Sequence, residues 1–404
     1  MRWGVVLALG ALYTAQGVPF GFATEYLPVV LREQGVSYAG IAALFWLQLP
    51  WQLKVFWAKA ADHPRLRART RFVILAMQLG LTATVAAFSF RSLKDAPIYW
   101  FVLTFVAAAL AATQDVFVDA FAVRVLRAEE RGFGNTAQVA GYRAGMLIGG
   151  AALLLLVESL GEKTTLLACA AVVGAASLGA FFGSETKEKN DDARAEKSAP
   201  VTRLHVVALF KHMTKRDAWP VVAVALTYKL GLHMASGLLK PMAVDYGWTK
   251  KAIGGAVVIV GTIGGLAGAF AGGALHRALK EKRALHVALL VQAIVCVPLV
   301  FVDRLHAPFE LTRAAIAIEH FGSGLGTTVL FAALMTATRP ADAGLQYTIL
   351  TSANAVAIGL GGLIGALIAD HANRTAAFVA ATAVCLLPGI FLPRWDAAAR
   401  ASRA

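Results

Sequence analysis

Apolar positions along this chain gather into twelve long runs, near 3–31, 40–58, 72–90, 97–122, 134–157, 165–183, 219–244, 252–275, 285–302, 310–337, 344–368 and 375–392. A helix needs roughly 20 apolar residues to cross a bilayer. Each run is close to that length, so the pattern predicts twelve spanning helices joined by short polar loops. The one long polar stretch, 184–218, carries Lys187, Glu188, Lys189, Asp191, Asp192 and Arg194 in close succession. It divides the chain into a six-helix bundle over 1–183, a charged linker over 184–218, and a second six-helix bundle over 219–404. Within the linker, Thr202 to Lys215 alternates apolar and basic residues, as expected either of a helix lying on the membrane surface or of a solvated connection. The first run follows Arg2 as a secretory leader would. It passes Pro19 and Pro28 without a small-residue cleavage pattern, so a retained first helix is expected.

Composition narrows the function. At 58% hydrophobic and 15% charged over 404 residues, the chain departs from soluble proteins, which use about 45–50% apolar and about 25% charged residues. A water-soluble enzyme is excluded, and the spans leave no room for a large extramembrane domain. The net charge of +14 resembles a nucleic-acid signal until the basic residues are placed. With the N-terminus cytoplasmic, 25 of them fall in inner loops and 8 in outer loops. That bias predicts a multi-pass membrane protein with both termini in the cytoplasm, and it accounts for the charge without nucleic acid. Cys169, Cys296 and Cys385 are far apart in apolar runs, so neither a disulfide framework nor a thiolate metal site is expected.

An offset of 212 residues aligns Gly35 with Gly247, Ile41 with Ile253, Arg127 with Arg339, Glu130 with Asp342, Gly149 with Gly361 and Gly150 with Gly362. A duplicated six-helix unit predicts this register, and such repeats are the architecture of secondary transporters. Gly141, Gly145 and Gly149 recur every four residues on the fifth span, and Gly264, Gly268 and Gly272 on the eighth. Small residues at that spacing let helix backbones approach closely where lipid removes the hydrophobic drive to associate.

Charges inside the spans are few and selectively placed. They are Glu25, Lys54, Asp115, Asp119, Arg143, Lys229, Lys240, Arg313 and Glu319, seven of the nine on spans 1, 4, 7 and 10. Each requires a partner or water, because a lone charge at membrane depth costs a few kcal/mol or more. Asp115 and Asp119 are four apart and share a face of the fourth span. Arg143 on the neighbouring fifth span could pair with Asp115. Either that pair is structural, or the second carboxylate, hard to keep charged beside a paired one, takes up a proton and couples transport to a gradient. Glu319, followed by His320 and preceded by Arg313, is the alternative coupling site. His320 reads as a hydrogen-bonded interior residue, since no second ligand sits at metal spacing. Lys54 and Lys240 are expected to extend to the membrane surface. Lys229, mid-span, cannot, and with Arg143 and Arg313 it suggests a small anionic substrate. No phosphate-binding loop, hydrolase motif or cofactor fingerprint is present, so no cofactor or ATP hydrolysis is expected, and a membrane enzyme or sensor is disfavoured. Nothing in the sequence calls for a second subunit; a monomer is expected.

Thr113-Gln114-Asp115, Asp119-Ala120, Ala128-Glu129-Glu130-Arg131-Gly132, Gly141-Tyr142-Arg143, Tyr228-Lys229-Leu230-Gly231 and Leu53-Lys54 resemble the AmpG-like permeases of the major facilitator superfamily. The resemblance spans essentially the whole chain and is densest over 110–150. It implies an all-α membrane protein of twelve transmembrane helices in two six-helix bundles, set in the bacterial inner (plasma) membrane. Its implied function is proton-driven import of anhydromuropeptides by alternating access, around a midplane cavity lined by spans 1, 4, 7 and 10. Gln16-Gly17-Val18-Pro19-Phe20-Gly21 is also similar to siderophore and acetyl-CoA permeases of the wider group. In that reading Glu25, Arg143, Lys229, Arg313 and His320 face substrate. Asp62, Arg65, Arg67, Glu130 and Arg131 form an inner-loop gate, or the basic loop is simply solvated. Two departures from the muropeptide group are Leu232, where an acid is expected, and Glu25, where a small or polar residue is usual.

Overall fold

A computed structural model describes residues 3–57, 63–126, 131–181, 213, 218–338 and 343–403. Among these the chain is helical, and helical segments occupy all twelve predicted positions. We label them α1 (Trp3–Glu33), α2 (38–56), α3 (Thr70–Phe90), α4 (Pro97–Val125), α5 (131–160), α6 (162–181), α7 (Trp219–Asp245), α8 (Lys250–Ala278), α9 (Glu281–Leu305), α10 (Phe309–Thr336), α11 (Ala343–His371) and α12 (Arg374–Ser402). Ten are long and apolar enough to cross a membrane. The others, α2 and α6, contain 3₁₀ stretches, at 43–48 and 54–56 and at 177–181. Of the 184–218 linker, only residues 213 and 218 are among those described.

Helix ends follow local chemistry. Pro97 opens α4 and Pro220 lies in the first turn of α7, where a missing N–H costs nothing. Asn373 and Thr249 accept hydrogen bonds from the first turns of α12 and α8. Gly35 and Gly247, which end α1 and α7, have φ of 80° and 73°, a conformation open chiefly to glycine. The predicted 212-residue repeat therefore reappears as two matched turns. It reappears in packing as well: a side chain at Gly149 would strike the Val18 carbonyl, and one at Gly361 the Leu230 carbonyl, the same offset for both partners.

Two compact units result. The first comprises Met1–Val36, Ala43–Asn190 and Val244–Val258; the second comprises Ser37–Ala42, Asp191–Ala243 and Ile259–Ala404. Each thus takes in a short segment from the other half of the sequence. In the first unit, α1 lies along α5 with backbones touching: side chains at Gly141, Gly145 and Gly149 would meet the carbonyls of Gly10, Thr14 and Val18. In the second, Gly264, Gly268 and Gly272 of α8 meet the carbonyls of Ala317, Phe321 and Leu325 on α10. Such contact replaces hydrophobic burial as the cohesive force in lipid.

Some helix ends run further than the apolar pattern predicts. α9 continues through Asp303, whose buried carboxylate binds Arg374 (2.8 Å) and Thr375 (2.6 Å) on α12. The apolar part of the last span is followed by a short helix, Trp395–Arg403, that folds back onto the unit. Trp395 is fully buried there and donates to Glu281 Oε1 (2.8 Å).

Candidate functional site

In the first unit the polar centre lies among α1, α2, α4 and α5. Asp115 is buried on α4 and ion-paired with Lys54 Nζ of α2. The 3₁₀ segment at the end of α2 delivers that lysine, which does not extend to a membrane surface as its sequence position suggested. Its ammonium also lies 5.3 Å from the centre of the Trp51 ring. One turn along α4, Asp119 accepts from the Tyr13 hydroxyl of α1 at 2.6 Å and from Gln138 Nε2 of α5 at 3.4 Å. Two carboxylates on one helix face are therefore held differently, one by a cation and the other by neutral donors. Arg143, expected beside Asp115, is exposed and forms no ion pair among the described residues. Gln78 and Gln114 are also buried in this unit, Gln114 Nε2 donating to Gln78 Oε1 at 2.5 Å, as is Gln16 on α1.

In the second unit the polar centre is built from α7, α8 and α10. α7 is locally distorted at Tyr228 and Lys229, both still in the right-handed helical region. Lys229 is buried; its ammonium donates to Ser323 O (3.0 Å) and Oγ (3.3 Å) on α10. Seven residues on, and so on the same face of α7, Ser236 donates to Glu319 Oε1. Glu319 is fully buried, with Oε2 2.9 Å from His320 Nδ1. That nitrogen also lies 3.0 Å from the Ile316 carbonyl, which leaves Glu319 Oε2 without a well-aligned hydrogen bond. Room for the imidazole comes from α8: a side chain at Gly261 would fall 2.7 Å from His320 Cδ2 and Nε2.

The remaining predicted residues lie elsewhere. Arg313 is exposed near the start of α10, 2.5 Å from Glu310 and over the Phe309 ring; it pairs one turn back along its own helix. Glu25 sits in a π-helical stretch of α1, Phe22–Tyr26, with its stem against Gly150 in a second π-helical stretch on α5. Arg65 and Arg67 are exposed on a short helix between α2 and α3. Asp62 and Glu130 lie outside the described residues, and Arg131 is described only as backbone. The sequence reading did not identify Tyr13, Ser236 or Gly261 as site residues. Ser236 was within reach, through its seven-residue spacing from Lys229; Tyr13 and Gly261 become relevant only once helices pair.

The chain matches the Major Facilitator Superfamily over residues 7–309. It is 26% identical over 390 residues to a Rickettsia conorii protein named after the transporter AmpG, covering 93% of this chain and 92% of that one. It is also 26% identical over 396 residues to the anhydromuropeptide permease of Escherichia coli K12, covering 97% of this chain and 79% of that protein. Among solved structures, the fold is similar to a D-xylose-proton symporter, with a TM-score of 0.68 and 11% identity over 99% of this chain and 98% of that one.

Proposed function

Because the chain belongs to the Major Facilitator Superfamily, and so to a class of multi-pass membrane transporters of small molecules rather than enzymes, we propose that it imports anhydromuropeptide-like solutes together with protons. Transport is by alternating access of the halves 1–183 and 219–404, in a bacterial inner membrane with both termini cytoplasmic, as the loop charges favour. The cargo is inferred from the likeness to the Escherichia coli permease over nearly the whole chain.

One observation carries the coupling: Asp115 is bound by Lys54, while Asp119 one turn away is held by the neutral Tyr13 and Gln138. Protonating Asp119 removes a partly buried charge without stranding a cation, so the carboxylate can load and release a proton as its surroundings change. Glu319, placed between Ser236 and His320, is the second coupling candidate. Lys229 and the exposed Arg143 meet anionic groups of the cargo, Glu25 and His320 also face it, and Asp62, Arg65, Arg67, Glu130 and Arg131 gate the cytoplasmic side.

The test is uptake by the purified chain in proteoliposomes, with labelled anhydromuropeptide, a ferric siderophore and an acyl-CoA, each with and without an inward proton gradient. Gradient-dependent uptake of the first alone supports the assignment. Uptake of either other cargo in its place overturns it.

A further inference from the structure

Most large aromatic side chains in the interior are fully buried, with their polar atoms satisfied. Trp100 donates to Arg91 O (2.7 Å), Trp395 to Glu281 (2.8 Å) and Tyr228 to Leu285 O (2.8 Å). A group in the first unit is different. Phe20 on α1, Trp51 on α2 and Tyr142 on α5 are each only partly buried. The Trp51 and Tyr142 rings meet edge to face at 6.0 Å and 79°, and Phe20 and Tyr142 are tilted by 49° at 5.8 Å. The Trp51 indole N–H has no acceptor among the described residues. Close approach of the backbones assembles the group, since side chains at Gly17 and Gly21 would strike α5 at Tyr142 and Met146. Beside it stands the Lys54–Asp115 pair, with the ammonium toward the Trp51 ring.

We propose that Phe20, Trp51 and Tyr142 form a platform for a pyranose ring of the cargo, with Lys54 and Asp115 hydrogen-bonding its hydroxyls. The electron-rich face of an aromatic ring attracts weakly positive hydrogens, and the faces of a sugar ring are lined with C–H bonds of that kind. An adjacent ammonium and carboxylate supply a donor and an acceptor, the complement of neighbouring hydroxyls. A cationic ligand is disfavoured because the Lys54 ammonium, 5.3 Å from the centre of the Trp51 ring, would repel it. A flat nucleobase is disfavoured because the rings are tilted and perpendicular and leave no parallel slot. The proposal rests on the reading of the cargo as a sugar–peptide and assigns its carbohydrate part to the first unit.

Two measurements test it. The first is equilibrium binding of the labelled carbohydrate part, released from its peptide, to the full chain in detergent, with free peptide and adenosine as competitors. The second is anhydromuropeptide uptake by wild type, Trp51→Ala and Trp51→Phe in proteoliposomes. The expected results are carbohydrate binding resisted by neither competitor, an affinity and KM weakened about fivefold to tenfold in Trp51→Ala as for loss of one aromatic contact, and near-normal values in Trp51→Phe. The conservative variant separates loss of the platform from loss of the fold. Binding of peptide or adenosine in place of the carbohydrate, or an unchanged affinity in Trp51→Ala, overturns the platform. Carbohydrate binding that depends on Trp51, in a protein that does not take up anhydromuropeptide, leaves the platform standing and overturns only the cargo assignment.

Discussion

The Tyr13 hydroxyl on α1 donates to Asp119 Oδ1 on α4 at 2.6 Å, across 106 residues of sequence. This bond ties the central helix of the first unit to the second of two carboxylates that share a face of α4, and it does so without bringing a charge. Asp119→Asn keeps the volume and most of the hydrogen bonding but cannot exchange a proton. It is expected to abolish accumulation driven by a pH gradient while leaving exchange of labelled for unlabelled solute intact. Counterflow and gradient-driven uptake, measured on the same liposomes, check this; loss of both points instead to a structural role.

The Lys54–Asp115 pair predicts a stability pattern. Removing one member strands the other beside apolar side chains, whereas removing both does not. Lys54→Met is expected to cost about 2 kcal/mol, below the roughly 3–5 kcal/mol of a fully buried pair because the lysine side chain is 34% exposed. Lys54→Met combined with Asp115→Asn is expected to recover to within about 1 kcal/mol of wild type. Thermal unfolding of the detergent-purified proteins reads both values; a double variant less stable than either single one contradicts this.

How much of this was legible in the sequence depends on whether the signal was local. Twelve apolar runs locate the helices because lipid imposes the requirement on each segment separately. The glycine ladders are visible for the same reason: a four-residue spacing is a property of one helix. Pairings are different. Arg143 was the natural partner for Asp115 by depth along adjacent spans, yet the cation that reaches it is Lys54, delivered by a 3₁₀ turn that apolar content does not reveal. Arg313 falls inside the tenth apolar run and so counts as an intramembrane charge, but it sits on the exposed first turns of α10 beside Glu310. Asp303 and Arg374 were placed in loops, whereas helix extension brings them together.

Backbone contact makes the ladders sensitive to single methyl groups. Gly149→Ala and Gly361→Ala push a Cβ against the Val18 and Leu230 carbonyls and are each expected to destabilise by about 1–3 kcal/mol. Gly273→Ala on α8 has open space around it and should be neutral or stabilising by up to about 1 kcal/mol, the helix preference for alanine. Thermal unfolding of the three variants decides the matter; equal effects would mean that helix contact is not the cause.

Gly261 and His320 are predicted to act as one element. Gly261→Ala crowds the imidazole and shifts it from Glu319, slowing uptake, but in a His320→Ala background the same change should add nothing. A coupling of about 0.5–3 kcal/mol in the double-mutant cycle is expected for residues in contact. Additive effects on the uptake rate would show that Gly261 acts elsewhere.

In this mechanism a carboxylate inside the first unit carries a proton with each solute entering the cell. The most direct measurement is the pH of a weakly buffered external medium when anhydromuropeptide is added to proteoliposomes with no imposed gradient. Alkalinisation in step with uptake is expected for wild type and none for Asp119→Asn. Uptake by wild type without proton movement, or an unchanged proton signal in the variant, would contradict it.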